Sequence, residues 1–119
     1  MKVLVLGSGG REHALVWRLS RDPDVSDVLA APGNPGVAQS AECVDIKDGD
    51  IAGLIKFAKE NHADLVVVGP EEPLANGLAD AVRAQNILCF GPGAAGARIE
   101  ADKAYAKELM RLAAVPTAE

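Results

Sequence analysis

Cysteines are scarce in this chain, and their placement does not suggest metal binding. Only Cys43 and Cys89 occur among the 119 residues, far apart, with no Cys-x-x-Cys pair and no histidine close to either. This is not the ligand spacing of a metal site. We therefore expect both side chains to be small buried hydrophobic groups, as reduced cysteines commonly are.

Excess positive charge and long hydrophobic runs are lacking as well. The formal net charge is −5, whereas nonspecific binding to duplex DNA needs a basic surface that displaces counterions. The longest apolar runs span only a few residues, too few for a membrane-spanning helix or a signal peptide. We expect a cytoplasmic protein with no nucleic-acid or membrane partner, and the sequence predicts no particular oligomeric state.

The overall composition is typical of a soluble globular protein. Hydrophobic residues make up 49% of the chain and charged residues 24%, a balance that supports a packed core. A chain of 119 residues is long enough for one compact domain and too short for two ordinary ones. We therefore expect a single core.

Strand-like apolar runs alternate with segments of helical periodicity. The strand-like runs are residues 3–6, 25–31, 43–46, 65–68 and 87–90, and the helical segments are 11–21, 51–61 and 74–85. This alternation predicts a doubly wound α/β fold, a Rossmann-like parallel sheet of about five strands with helices on both faces. Asp50 is the expected N-cap of the second helix. A final helical stripe of Tyr105, Leu109 and Leu112 begins a further unit.

Ligands of open α/β sheets bind beyond the carboxyl ends of the strands, at the point where the strand order reverses. If the strand order is 3-2-1-4-5, the loops after strands two, one and four become neighbours. These loops cover residues 32–36, 7–13 and 69–74, and all three are rich in glycine, proline and polar residues. We expect a binding site where they meet.

The loop after the first strand has the composition of an anion site. It reads Gly7-Ser8-Gly9-Gly10-Arg11-Glu12-His13 and leads directly into a helical segment. Glycines let a turn expose its backbone N–H groups, and a helix N-terminus adds unpaired donors and a partial positive charge. The pattern predicts a phosphate cradle, and the alternative is a tight turn that binds no ligand.

The charged side chains of this loop have different expected roles. Arg11 is the best partner for a phosphate, because a charge-assisted contact contributes about 1.5 to 3 kcal/mol. His13 either adds a donor or is merely packed or solvated. Glu12 is expected to interact with the positive helix end or a ribose hydroxyl, because it would repel a phosphate.

A dinucleotide site is an alternative with two departures against it. The dinucleotide fingerprint has glycines in the pattern Gly-x-Gly-x-x-Gly and an acidic residue about 20 positions later. Glu12 occupies the third glycine position, and Ala30, Ala31 and Pro32 at the end of the second strand offer no side-chain acceptor to a ribose.

The other two loops supply candidate polar groups. Glu71 and Glu72 lie between Pro70 and Pro73, after the fourth strand. We expect Glu71 to accept from vicinal hydroxyls or to hold an ammonium group, whereas Glu72 is expected to be solvated near a helix N-terminus. Asn34 lies in the turn after the second strand and is a candidate amide contact, although asparagine is common in turns.

Five segments of the chain occur in the order found in a known family. They read VLGSGGREHAL, APGN, VVGPE with PL, FGP, and finally DKA followed by VPTA. Together they resemble the N-terminal region of the phosphoribosylamine-glycine ligase family, also called the glycinamide ribonucleotide synthetases. The members of this family are ATP-grasp enzymes of purine synthesis.

The resemblance implies an ATP-dependent ligation. ATP phosphorylates the carboxylate of glycine, the amine of 5-phosphoribosylamine attacks the resulting glycyl phosphate, and ADP and phosphate leave. It also implies that the loop from Gly7 to His13 binds the phosphoribosyl substrate, that Glu71 contacts its ribose, and that Lys103 is presented to the phosphates of ATP.

The same resemblance implies how the chain is organised. Residues 1–100 would form the N-terminal substrate-binding domain, and residues 101–119 would begin the ATP-grasp region. The full-length enzymes use ATP with Mg or Mn, and their ATP lobes, metal ligands and glycine site lie beyond residue 119. We expect no catalytic residue, metal ligand or bound cofactor in this fragment, and no activity from it alone.

Three alternatives remain open at this point. The first is the N-terminal domain of another ATP-grasp ligase or carboxylase, which shares the fold and the lysine. The second is a dinucleotide-dependent oxidoreductase domain. The third is an α/β binding module without catalytic activity.

Overall fold

The computed structural model describes residues 1–91, 93, 94, 96, 97 and 103–114. Its strands are β1 (Lys2–Gly7), β2 (Asp27–Pro32), β3 (Glu42–Cys43), β4 (Leu65–Val68) and β5 (Leu88–Phe90). The α-helices with bounds in the described residues are α1 (Gly10–Leu19), α2 (Ile51–Glu60), α3 (Glu71–Ala75), α4 (Leu78–Arg83) and α5 (Lys103–Leu112). A short 3-10 helix covers Val37–Gln39.

The described strands form one parallel sheet in the order β3-β2-β1-β4-β5. This is the order considered from the sequence, and the doubly wound α/β class is confirmed. Gly7 pairs with Pro32 on one side of β1, and Leu6 pairs with Val68 on the other. The carboxyl ends of β2, β1 and β4 therefore lie side by side at one edge of the sheet.

Apolar side chains cover both faces of the sheet. Along β1, Leu4 and Leu6 pack in one cluster with the helices α2, α3 and α4, whereas Val3 and Val5 pack in the other cluster with α1. Successive side chains of a strand point to opposite faces. A central strand covered on both faces is therefore apolar throughout, as the sequence of β1 is.

Helix α2 begins and packs as its sequence predicts. The Asp50 carboxylate accepts a hydrogen bond from the Gly53 backbone N–H at 3.0 Å, so the expected N-cap is confirmed. Leu54 and Ala58 are buried in the core, and Ile55 is half-buried beside them. These residues share one face because their spacing matches the helical period.

The single helix expected over residues 74–85 is wrong. The chain instead forms α3 from Glu71 and α4 from Leu78, separated by a turn in which Gly77 has a φ of +91°. Helical conformation requires a negative φ, so a residue in this conformation ends the first helix. Pro73 is tolerated in α3 because N–H groups of the first turn have no intrahelical partner.

The third strand is shorter than the expected range of 43–46, and Cys43 is exposed rather than buried. After Cys43, the Ile46 N–H donates to the Val44 carbonyl at 2.8 Å, which makes a tight turn and ends the ladder. Because β3 is an edge strand of two residues, its side chains are not covered. Cys89, in β5, is half-buried.

On the face of the sheet that carries α1, the described residues leave one part uncovered. A groove of about 770 Å³ lies between α1 and β5, with mainly apolar lining that includes Leu15, Leu19 and Phe90. Phe90 is 71% exposed there. The helices that precede β4 and β5 pack mainly on the opposite face, and α1 lines one side of the groove.

Candidate functional site

Three loops meet at the carboxyl edge of the sheet, where the strand order reverses. The loop after β2 is joined to the loop after β1 by the Asn34 side-chain amide, which donates to the Ser8 carbonyl at 2.9 Å. The start of α1 is joined to the start of α3 by an ion pair of 3.9 Å between Arg11 Nη2 and Glu71 Oε2. The sheet therefore brings together the loops that the sequence predicted to be neighbours.

The loop after β1 presents backbone donors at this edge. Gly7 ends the strand with a φ of +125°, a conformation that favours glycine, and Gly9 and Gly10 are exposed. The first hydrogen bond of α1 runs from the His13 N–H to the Gly9 carbonyl at 3.1 Å. The N–H groups of the helical residues before His13 therefore have no acceptor within the helix. They carry the partial positive charge of the helix end.

Glu12 is the one buried charged residue among those the structure describes, with 4% of its surface exposed. Its Oε2 accepts a hydrogen bond from the Gly9 N–H at 2.9 Å, and its Oε1 lies 3.5 Å from Arg11 Nε. Its side chain also fills the space beside two glycines, because a Cβ on Gly7 or Gly69 would overlap it. The carboxylate thus lies at the positive end of α1, between the loops after β1 and β4.

Arg11 is the cation of the site. Its side chain is 57% exposed and lies between two carboxylates, with Nε 3.5 Å from Glu12 and Nη2 3.9 Å from Glu71. The longer contact joins two exposed groups, and such pairs contribute little, commonly below about 1 kcal/mol. The terminal amino groups of Arg11 are therefore accessible to an anion that competes with Glu71.

Asn34 and His13 hold the loop after β2. The Asn34 amide oxygen accepts a hydrogen bond from the Val37 N–H at 2.9 Å, at the start of the 3-10 helix, while its amide nitrogen donates to Ser8. The His13 ring packs on Gly36, where a Cβ would come within 2.6 Å of Cε1. Both side chains thus use contacts within the protein to fix the loops around the candidate site.

For the remaining residues singled out from the sequence, the structure shows an exposed position or does not describe the side chain. Glu72 is exposed in the first turn of α3. Lys103 is the first residue of α5, and its side chain lies outside the described part of the structure, as do Pro92, Asp102 and residues 115–119.

Two residues of this site were missed by sequence reasoning. Gly69 and Gly36 had no assigned role, yet each leaves space for a side chain from α1, Glu12 and His13 respectively. The available signal was the position of Gly69 directly after a buried strand, where a glycine often marks a close approach of another group.

No group of three histidine, cysteine or acidic side chains is arranged to hold a metal ion among the described residues. The helices in the described part of the chain are also all too short or too polar to cross a membrane.

Comparison of the sequence with known proteins identifies a family. A family model described as "Phosphoribosylglycinamide synthetase, N domain" matches residues 1–100. A phosphoribosylamine-glycine ligase of Brucella melitensis is 54% identical over 117 residues, which is 98% of this chain and 27% of the relative. A protein of the same name from Mycobacterium tuberculosis is 53% identical over 118 residues, which is 99% of this chain and 28% of the relative.

Solved structures share the fold. The phosphoribosylamine-glycine ligase of Thermotoga maritima has a TM-score of 0.71 and 28% identity, and the match covers 100% of this chain and 26% of that one. The biotin carboxylase subunit of a pyruvate carboxylase has the same TM-score of 0.71 at 24% identity, with 99% of this chain covered. The second likeness concerns the fold alone.

The chain spans about a quarter of the length of the relatives that it matches. The matched region is the N domain of the family model, and the sequence identity extends over nearly all of the chain. The chain therefore belongs to the phosphoribosylglycinamide synthetase family, and the relatives named above bear the name phosphoribosylamine-glycine ligase.

Proposed function

We propose that this chain is the N-terminal part of a ligase that joins glycine to 5-phosphoribosylamine with ATP. The reaction proceeds through a glycyl phosphate and gives glycinamide ribonucleotide, ADP and phosphate. The contribution of this chain is the site for the phosphoribosyl group. The observation that carries this proposal is the meeting of Arg11, the start of α1 and Glu71 at one edge of the sheet.

The phosphate would bind at the start of α1. Backbone N–H groups of Gly10, Arg11 and Glu12 precede the first intrahelical hydrogen bond, and a helix N-terminus with such donors favours an anion. The guanidinium of Arg11 adds a positive charge whose terminal amino groups can donate two parallel hydrogen bonds to a phosphate. A bound phosphate would displace Glu71 from its exposed pair with Arg11.

The ribose would lie between the loops after β1, β2 and β4. Glu71 follows directly on Pro70 and is exposed at the first position of α3, and a carboxylate there is able to accept from vicinal hydroxyls. Gly7, Ser8, Gly9 and His13 shape the loop, and Asn34 holds it through Ser8. Release of Glu71 from Arg11 frees the acceptor that the ribose would use.

The other reactants would bind elsewhere in the full-length protein. We assign the ATP lobes, the divalent metal and the glycine site to the three quarters of the relatives that this chain does not cover. We place the boundary of the substrate-binding domain at residue 100 and the start of the ATP-grasp region at residue 101, with Lys103 directed to ATP. The enzyme would be cytoplasmic, and the fragment alone inactive.

A chimera tests this proposal. In it, this chain replaces the matching residues of the Brucella melitensis ligase, to which it is 54% identical. We expect the chimera to form glycinamide ribonucleotide. We expect Arg11→Ala to raise KM for 5-phosphoribosylamine about ten- to a hundredfold, the equivalent of one charge-assisted contact, while KM for ATP and glycine is unchanged.

Arg18→Ala is the matched control, because Arg18 lies on the same helix, is 67% exposed and pairs with Asp22 rather than with the loops. It should leave all three KM values unchanged. A folded chimera that binds ATP but makes no product would overturn the proposed function. An unchanged KM for 5-phosphoribosylamine in Arg11→Ala would overturn the phosphate assignment.

A further inference from the structure

Glu12 is a charged side chain in an environment that normally excludes charge. It is 4% exposed, and a buried carboxylate is stable only when it is paired and hydrogen-bonded. Both oxygens meet this requirement, Oε2 through the Gly9 N–H at 2.9 Å and Oε1 through Arg11 Nε at 3.5 Å. The position of the carboxylate is thus fixed by a backbone group of the loop and by the cation of the site.

We infer that Glu12 is a positioning residue, which orients Arg11 and the loop after β1 for phosphate without contacting the substrate itself. This inference rests on the proposed function, in which Arg11 binds the phosphate. It assigns to Glu12 a role different from that of a ribose ligand.

The shape of the guanidinium explains how this positioning works. Arginine carries five N–H donors in one plane, one on Nε and four on the two terminal nitrogens. Glu12 contacts Arg11 through Nε, and Nη2 pairs at 3.9 Å with the exposed Glu71, which a phosphate would displace from the edge formed by the two terminal nitrogens. A phosphate bound at that edge receives two parallel hydrogen bonds. A free arginine side chain would sample many rotamers and lose that orientation.

The packing around Glu12 argues against direct contact with substrate. The backbones of Gly7 and Gly69 lie directly against the Glu12 side chain, so closely that a Cβ on either glycine would overlap it. A carboxylate in direct contact with a phosphate would also repel it. With the Arg11 guanidinium between the Glu12 carboxylate and the phosphate, the negative charge of Glu12 instead holds the guanidinium in the orientation that suits the phosphate.

Nuclear magnetic resonance of the unmodified 119-residue chain tests this inference without any ligand. Relaxation of the side-chain Nε–H groups reports how ordered each arginine side chain is, and Arg18 is the internal reference, because it is 67% exposed and its pair with Asp22 is 3.9 Å long. We expect the Nε–H of Arg11 to be more ordered than that of Arg18, because the buried Glu12 carboxylate holds it. The inference is overturned if the two Nε–H groups are equally mobile.

Substitutions provide the second measurement. In Glu12→Gln the neutral amide keeps an acceptor for Gly9 but loses the charge that holds Arg11. We expect the Nε–H of Arg11 to become as mobile as that of Arg18, and in the chimera we expect KM for 5-phosphoribosylamine to rise roughly two- to fivefold, as for loss of an ion pair whose arginine is exposed, with kcat unchanged. Glu60→Gln is the control, because Glu60 pairs with Lys56 on the exposed face of α2.

The chimera separates failure of this inference from failure of the proposed function. If Arg11→Ala raises KM while Glu12→Gln alters neither that KM nor the mobility of the Arg11 Nε–H, Arg11 binds substrate and Glu12 does not position it. If Arg11→Ala leaves KM unchanged, the proposed phosphate site itself fails, whatever the relaxation measurement shows. Should Glu12→Gln not fold, the relaxation measurement on the unmodified chain alone decides.

Discussion

Gly69 and Glu12 occupy one shared space at the carboxyl edge of the sheet. A Cβ on Gly69 would lie 2.6 Å from Glu12 Cδ, a separation that real side chains do not adopt. Gly69 follows β4 and Glu12 lies in the first turn of α1, so the contact joins the loops after two adjacent strands. The absence of a side chain at Gly69 is therefore what allows a carboxylate to lie beneath the candidate phosphate site.

Gly69→Ala should destabilise the chain because the new methyl group forces Glu12 out of its position. We expect the free energy of unfolding to fall by about 1–3 kcal/mol, the usual effect of overpacking, when it is measured by urea denaturation. Gly49→Ala is the control, since a Cβ at Gly49 meets no atom within 4 Å, and its effect should stay within about 0.5 kcal/mol.

A double-mutant cycle identifies the cause of that loss. In a Glu12→Ala background the obstacle is gone, so adding Gly69→Ala should change the free energy of unfolding by less than about 0.5 kcal/mol. An equal loss in both backgrounds would show that Glu12 is not what the methyl group meets.

Much of this site was predictable because its position follows from topology. Alternating strands and helices predict a parallel sheet, and reversal of the strand order places the loops that follow β1, β2 and β4 together. The role of Gly69 was not predictable in the same way, because it depends on how closely Glu12 approaches from α1. Sequence spacing predicts which loops meet but not which atoms fill the space between them.

Asn34 uses the two ends of its amide for two contacts, one with Val37 in its own loop and one with Ser8 in the loop after β1. Substitutions separate these contacts. Asn34→Asp keeps an acceptor for the Val37 N–H but replaces the donor to the Ser8 carbonyl with an oxygen that repels it. We expect the free energy of unfolding to fall by about 1 kcal/mol, the contribution of one hydrogen bond. Hydrogen exchange at the Val37 amide should remain slow.

Asn34→Ala removes both contacts, and exchange at the Val37 amide should then become faster. An Asn34→Asp variant as stable as the unmodified chain would show that the contact with Ser8 contributes nothing to stability.

The break between α3 and α4 shows where helical periodicity misleads. Apolar residues such as Leu74, Leu78 and Val82 recur at helical spacing across the break, and all three are buried in one core. The periodicity therefore predicted one helix, although the chain turns at Gly77 with a φ of +91°. Because both helices pack on the same core, apolar residues recur at helical spacing whether or not the helix itself is continuous.

Gly77→Ala should therefore reduce stability through backbone conformation alone. A Cβ at Gly77 meets no atom within 4 Å, so the expected loss of about 1–2 kcal/mol comes from the left-handed conformation. Gly77→Asn should lose less, because asparagine tolerates positive φ better than alanine. Thermal or urea denaturation measures both variants, and equal stability of Gly77→Ala and the unmodified chain would contradict the assigned turn.

The two cysteines should differ in reactivity as a function of pH. Burial disfavours the Cys89 thiolate and raises the pKa of that thiol, and this effect exceeds the opposing attraction of the nearby Arg83 charge. The thiolate is the nucleophile, so a raised pKa means a smaller reactive fraction at any given pH. The rate of alkylation at Cys89 should therefore rise only at higher pH than in an unfolded chain, whereas the exposed Cys43 should react first.

Alkylation by iodoacetamide, followed by mass spectrometry across a pH series, measures this difference. Cys43→Ser isolates the Cys89 signal, Cys89→Ser isolates that of Cys43, and each variant in urea provides its own reference. If Cys89 in the folded chain shows the same pH midpoint as in urea, its burial in β5 is not as the structure describes. A midpoint displaced upward that returns to the reference on unfolding would establish that packing of this strand, rather than local sequence, controls the thiol.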